Sequence, residues 1–223
     1  MTLLQNIRRP EDELPSHLEY MIRRGHDVPL PQNLLWGKLP IGPGRYYADW
    51  TSGYIASEGL QLYEVKYGPT PLPTRNTHSH EHEEQAYYVV EGRARMILGE
   101  CVADLGPGSL CYAPPGVQHV FNPIGDKTVF VLDIHGFHYD GKLAKLDISE
   151  HRVRPGEGVQ PTSDKSAEGA YYVVSGVATV CVGDEQASIG PGGSAYLPRG
   201  VPHGYTNRGS RDLVILHVNN RDA

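Results

Sequence analysis

Cysteine, clustered positive charge and long apolar runs are all scarce in this chain. Of its 223 residues only three are cysteines, Cys101, Cys111 and Cys181. They are isolated, odd in number and without CxxC spacing, which argues against a disulfide framework or a thiolate metal site. No run of Lys or Arg extends past the pairs Arg8-Arg9 and Arg23-Arg24, and the net charge is −6 with a pI near 6.0. A nucleic-acid or anionic-membrane binder needs a basic face, so neither partner is expected and a small molecule is. Nowhere do 18 apolar residues follow one another, and the opening "MTLLQNIRRPEDELP" has no apolar segment of the export type. A cytoplasmic protein is the expectation.

What is abundant is internal repetition. "AYYVVEGRARMILGE", residues 86 to 100, returns as "AYYVVSGVATVCVGD", residues 170 to 184, a displacement of 84. At the same displacement "GPGSLCYAPPGVQHV" (106 to 120) meets "GPGGSAYLPRGVPHG" (190 to 204). Each copy is a series of short β-branched and aromatic runs broken by Gly and Pro, the pattern of an antiparallel sandwich or barrel. Around the copies, residues 11 to 24 carry a candidate Ser16 N-cap and an apolar stripe at Leu18, Met21 and Ile22, which predicts a brief helix. Residues 27 to 57, rich in Pro, Gly and aromatics, suit an extended arm that covers a sheet edge or a neighbouring subunit. The stretch 137 to 150 is the candidate linker.

Chemistry concentrates in "THSHEHEEQAYYVVEG", residues 77 to 92. His78 and His80 are two apart and on a strand would share a face, as would Gln85, Tyr87 and Val89. A pair of imidazoles with a third brought by a neighbouring strand suits a transition metal, and His119, at the end of the rigid turn "APPGVQH", is the obvious third. A charged, histidine-rich loop that gathers metal weakly is the plainer alternative, and the separate arrival of His119 in its own turn weighs against it.

The pattern His78-x-His80-x4-Gln85-x6-Gly92, then Gly108-x5-Pro114-x-Gly116-x2-His119-x2-Asn122, resembles the two motifs of the cupin superfamily. The resemblance implies an all-β bicupin: two tandem antiparallel β-barrels of the jelly-roll type with an N-terminal extension. Residues 1–57 would form the helix and arm, 58–136 the metal-binding barrel, 137–150 the linker and 151–223 a degenerate barrel. It implies the ligand set His78, His80, Gln85 and His119 for one divalent transition metal per chain, Fe, Mn, Ni, Zn or Cu. It also implies a homodimer paired through sheet edges. In the second copy the positions matching His78, His80 and Gln85 are Thr162, Asp164 and Gly169, and only His203 remains. That half is expected to have lost its metal or to serve another purpose.

Glu84 directly precedes Gln85, and a one-residue bulge would exchange them. Spacing to Gly92, strand alternation and the survival of Glu168 in the second copy favour Gln85 and make Glu84 structural. His82 is expected outside the ligand set. With only neutral ligands a divalent ion would keep its full charge, which favours anionic, oxygen-rich substrates. The leading expectation is an Fe(II)-type dioxygenase of an enol, diketone or phenolic acid. The alternatives are a non-redox isomerase, cyclase or lyase, and a small-molecule-binding protein without catalysis. Tyr87 and His135 are the candidate proton-transfer groups, with barrel packing as the competing role for each. Phe121 and Met96 are expected to line the apolar pocket. Arg45, Tyr46 and Tyr47 are candidates for closing over it.

Overall fold

The computed structural model describes residues 22–23, 47–56, 59–67, 77–137 and 144–222. The strands are β1 (Ile22–Arg23), β2 (Tyr47–Ala56), β3 (Leu60–Tyr67), β4 (Glu83–Glu91), β5 (Ala94–Leu98), β6 (Cys101–Leu105), β7 (Leu110–Ala113), β8 (His119–Pro123) and β9 (Val129–Phe137). The second half supplies β10 (Ala144–Val153), β11 (Gly158–Thr162), β12 (Ala167–Ser175), β13 (Ala178–Val182), β14 (Glu185–Ile189), β15 (Ser194–Leu197), β16 (His203–Asn207) and β17 (Leu213–Asp222). No helix occurs among the described residues, so none there is long and apolar enough to cross a membrane.

The 84-residue displacement reappears as topology. Strand order β3-β9-β4-β7 in one five-stranded sheet matches β10-β17-β12-β15 in another, and every pairing is antiparallel. Opposite the first lies the sheet β6-β5-β8, and opposite the second the sheet β11-β16-β13-β14. Each pair of sheets encloses its own apolar interior. One is built around Val65, Tyr87, Met96, Phe121 and Val131, the other around Tyr171, Val180, Leu197, Tyr205 and Ile215. The fold is therefore two tandem jelly-roll barrels.

Alternation along the strands explains a third core. Tyr87 and Val89 face into the first barrel, so their neighbours Ala86 and Tyr88 face out. They meet Ala170 and Tyr172, the same positions of the second copy, together with Leu62, Leu132, Ile134, Leu216 and Val218. The run "AYYVV" is buried on both faces for this reason, as strands between two apolar layers are.

Two short segments before the first barrel complete the sheets. β2 pairs along β3 at the edge of the first barrel's larger sheet. Ile22 and Arg23, at the end of the stretch read as a helix, are instead a two-residue strand against Ala195 and Ser194. An open sheet edge supplies backbone partners that a three-residue apolar stripe does not. The rest of that stretch, with Arg45 and Tyr46, lies outside the described residues.

Candidate metal centre

His119 is placed by its turn and its ladder. Gly116 sits at φ +77°, where a side chain would be strained, and its N–H donates to the His80 carbonyl at 2.7 Å. Val117 N–H then closes the turn on the Pro114 carbonyl at 3.2 Å. The chain enters β8 at His119, which exchanges both backbone hydrogen bonds with His78, at 2.8 and 3.0 Å. Side chains of such a directly opposed pair stand on one face, and the two rings have centroids 4.4 Å apart.

His78 and His80 do not lie on one continuous strand. His78 forms an isolated bridge, a bend follows at Glu81 and His82, and β4 begins only at Glu83. The imidazoles converge all the same. The ligand nitrogens of His78, His80 and His119 all lie within 4.8 Å of one another.

Gln85 joins them from the third position of β4. Its Oε1 lies 2.7 Å from His119 Nε2 and 3.1 Å from His80 Nε2. The amide is oriented by its other end, because Gln85 Nε2 donates to Asp133 Oδ1 at 2.8 Å, leaving the oxygen for the imidazoles. His119 Nδ1–H donates to the Val117 carbonyl at 2.8 Å, and His80 Nδ1–H donates to Glu83 Oε1 at 2.8 Å. In the neutral rings both Nε2 atoms therefore carry lone pairs directed at an amide oxygen. Lone pairs facing lone pairs is an arrangement that a cation completes. Two donors at right angles on one ion with bonds of about 2.1 Å would be about 3.0 Å apart, close to the observed separations. Burial drives the His119 pKa down to about 4, so the ring is neutral and ready to ligate. The donor set fits a divalent transition metal.

Behind this set lies a buried charged cluster. His135, paired with Gln85 across β4 and β9, donates from Nδ1 to Glu83 Oε1 and from Nε2 to Asp133 Oδ1, each at 3.1 Å. Burial alone would push its pKa down, but the Asp133 and Glu83 carboxylates outweigh this and carry it up to about 10. Glu83 is pushed up by burial and brought down to about 2 by its bonds to His135 and His80. His135 is thus an imidazolium clamped between two carboxylates and lying 3.3 Å from the Gln85 amide nitrogen. Tyr87 stacks on Phe121 at 5.2 Å and lies 6.2 Å from the His119 ring, so with Met96 it forms an apolar floor under the imidazoles.

Glu84 is engaged elsewhere, accepting from Leu146 N–H at 2.6 Å in the contact between the barrels. His82 is exposed beside Glu81. Sequence reasoning missed Glu83 and Asp133. Asp133 shares strand parity with His135 in "VFVLDIH", which is the signal that would have found it.

In the second barrel the backbone frame survives without the ligands. Gly200 N–H donates to the Asp164 carbonyl at 2.7 Å, as Gly116 does to His80, and Thr162 stands opposite His203 as His78 does opposite His119. Thr162, Asp164 and Gly169 supply no imidazole there.

A family model described as a cupin domain matches the chain twice, over residues 64–135 and 149–219. Among solved structures, AerE from Microcystis aeruginosa superposes with a TM-score of 0.64 at 13% identity, over 75% of this chain and 90% of that one. Oxalate decarboxylase from Bacillus subtilis, described with Mn(II) centres, gives 0.60 at 15% identity, over 75% and 70%. The protein Ylba from E. coli gives 0.61 at 13%, over 76% and 82%. At these identities the likeness is one of fold. No curated relative matches the chain at the level of sequence.

Proposed function

Because the chain belongs to the cupin family, in tandem form and over more than half its length, we propose that it is a metal-dependent enzyme acting on a small, oxygen-rich organic molecule in its first barrel. The observation that carries this is the convergence of His78, His80 and His119 on one point with the Gln85 oxygen facing two of the rings. His78, His80, Gln85 and His119 would hold one divalent transition metal. All four ligands are neutral, so the bound ion would retain its charge, polarising an enolate or carboxylate oxygen and, as Fe(II), admitting dioxygen as co-substrate. Oxidative cleavage of an enol, diketone or phenolic acid is the reaction this set suits best.

The protein's own residues have definable tasks. His78, exposed, and His80, half-buried, form the side of the site that meets solvent, whereas His119 and Gln85 are buried. Tyr87, Phe121 and Met96 exclude water from below. Glu83 fixes the His80 ring with its Nε2 inward, and Asp133 fixes the Gln85 amide, so ligand geometry is set before any substrate arrives. Among the described residues no carboxylate oxygen joins the three-histidine cluster, which leaves the substrate's own charge to balance the ion.

The test is metal content by elemental mass spectrometry for wild type and His119→Ala, with oxygen-electrode traces after anaerobic Fe(II) loading over a panel of diketones and phenolic acids. About one metal per chain, lost in the variant, with substrate-dependent oxygen uptake is the expected result. The same stoichiometry with turnover but no uptake would move the assignment to isomerase, cyclase or lyase chemistry. Metal without turnover would leave a binding protein, and a metal-free wild type would overturn the reading.

A further inference from the structure

The second barrel has lost three ligand positions without becoming apolar. Relative to the first barrel, Phe121 is replaced by Tyr205, Asp133 by His217 and Tyr67 by His151, while Tyr171 and His203 keep the places of Tyr87 and His119. These five residues form one continuous cluster. Tyr171 lies edge-on to Tyr205 at 5.0 Å, 4.9 Å from His217 and 5.8 Å from His203, and His217 stands 6.1 Å from both His203 and His151.

Two of the imidazoles are differently provided for than the third. His151 is fully engaged, its Nδ1 against the Tyr205 hydroxyl at 2.6 Å and its Nε2 against Ser149 Oγ at 3.0 Å. His203 Nδ1–H donates to the Val201 carbonyl at 2.9 Å, which leaves its Nε2 as an acceptor. His217 Nε2 is enclosed with no hydrogen-bond partner. A buried polar atom left so is destabilising, and a half kept only as scaffold gains nothing by keeping polar groups in its interior. The ring spacing is wider than the 4.4–5.4 Å among the metal-facing rings of the first barrel, and these imidazoles do not form a group compact enough for an ion.

We infer that the second barrel is a metal-free binding site for a small carboxylic acid, its carboxyl group held between His203 and His217 over the face of Tyr171. The match is one of hydrogen-bond type. A carboxyl group offers one donor and one acceptor, His203 Nε2 requires a donor, and His217 Nε2, as the N–H tautomer, requires an acceptor. Among the described residues no Lys or Arg is buried in this interior, so the acid would enter as carboxylate together with one proton from solvent, shared between carboxyl and imidazole. No covalent bond forms or breaks. The groups facing His217 agree with this. Burial, with His203, His151 and Arg221 nearby and Asp147 opposing them, brings its pKa down to about 4. Burial likewise lowers His203, opposed by its bond to Val201 and by Asp164, and Tyr171 is held protonated by burial beside Tyr205 and Cys181.

The test uses the full chain stripped of metal and titrated with acetate and with benzoate. It is followed by long-range proton–nitrogen spectra of the imidazoles and by calorimetry in two buffers of different ionisation enthalpy. One acid per chain is expected, with shifts at His203 and His217, uptake of one proton, and affinity rising about tenfold for each pH unit lowered between 7 and 5. Binding should persist in His119→Ala and weaken at least about tenfold in His217→Leu and in His203→Gln. The two variants guard against one that fails to fold. Silent His203 and His217 signals, affinity indifferent to pH, or binding abolished by His119→Ala would each overturn the inference.

Discussion

At the scale of single residues, one carboxylate oxygen does two jobs. Glu83 Oε1 accepts from both His80 and His135, tying a candidate ligand to a buried imidazolium. Glu83→Gln should therefore weaken metal binding by about 10–100-fold, measured by competition with a chromophoric chelator. The same substitution should alter the pH dependence of stability in the metal-free chain. His135 has its folded pKa raised from 6.5 to about 10, so its contribution is complete below 6.5 and is lost as pH rises toward 10. Glu83 has its pKa lowered from 4.5 to about 2, so its contribution is present above 4.5 and is lost as pH falls toward 2. Both act together between about pH 4.5 and 6.5. Thermal melts should show wild type losing stability from pH 6.5 to 9.5 more steeply than Glu83→Gln; equal slopes would show that the pair is not coupled to folding.

At the scale of elements, adjacent residues of β4 serve opposite sides of one sheet. Gln85 faces the imidazoles, while Glu84 accepts from the backbone of Leu146 on β10 and is bonded by Tyr112. The repeat carries a matching arrangement, with Tyr196 donating to Glu168 at 2.6 Å and Asn220 donating to the Gly59 carbonyl at 2.6 Å nearby. Glu84→Ala leaves the Leu146 N–H without its partner in a buried contact, which costs about 1–3 kcal/mol. Denaturant titration should register that loss while metal content stays at the wild-type value. A loss of metal with unchanged stability would make Glu84 a ligand instead. Gly92 and Gly176 show how the strand ends are held, since at φ +84° a Cβ would meet the Thr128 or Asp212 carbonyl oxygen at 2.6 or 2.8 Å.

At the scale of the whole molecule, the two barrels share a core. Ala86, Tyr88, Leu132 and Ile134 from one sheet pack on Ala170, Tyr172, Leu216 and Val218 from the other, so neither barrel buries its outer apolar face alone. Leu216→Ala, in the second barrel, should lower the stability of the whole chain by about 2–5 kcal/mol. Differential scanning calorimetry should show one shared transition before and after, and two separable transitions would mean that the barrels unfold independently.

The sequence alone displayed a repeated all-β unit and, through its resemblance to the cupin motifs, singled out His78, His80 and His119. Turn glycines, histidine spacing and a repeat of 84 residues are local properties that the chain shows directly, although His78 and His80 meet His119 across a bend and not along one strand. It also separated Gln85 from Glu84, since alternation along a strand assigns faces without knowing what lies beyond them. Only the tertiary structure decided what lies there: that Glu84 meets β10, that Glu83 and Asp133 clamp His135 behind the three imidazoles, and that Ile22 and Arg23 pair as strand rather than helix. It also brought His151 of β10 into one interior with His203 and His217 of β16 and β17. Such groupings depend on which strands become neighbours when sheets close and stack, and that is set by burial of the shared core rather than by any pattern within one segment.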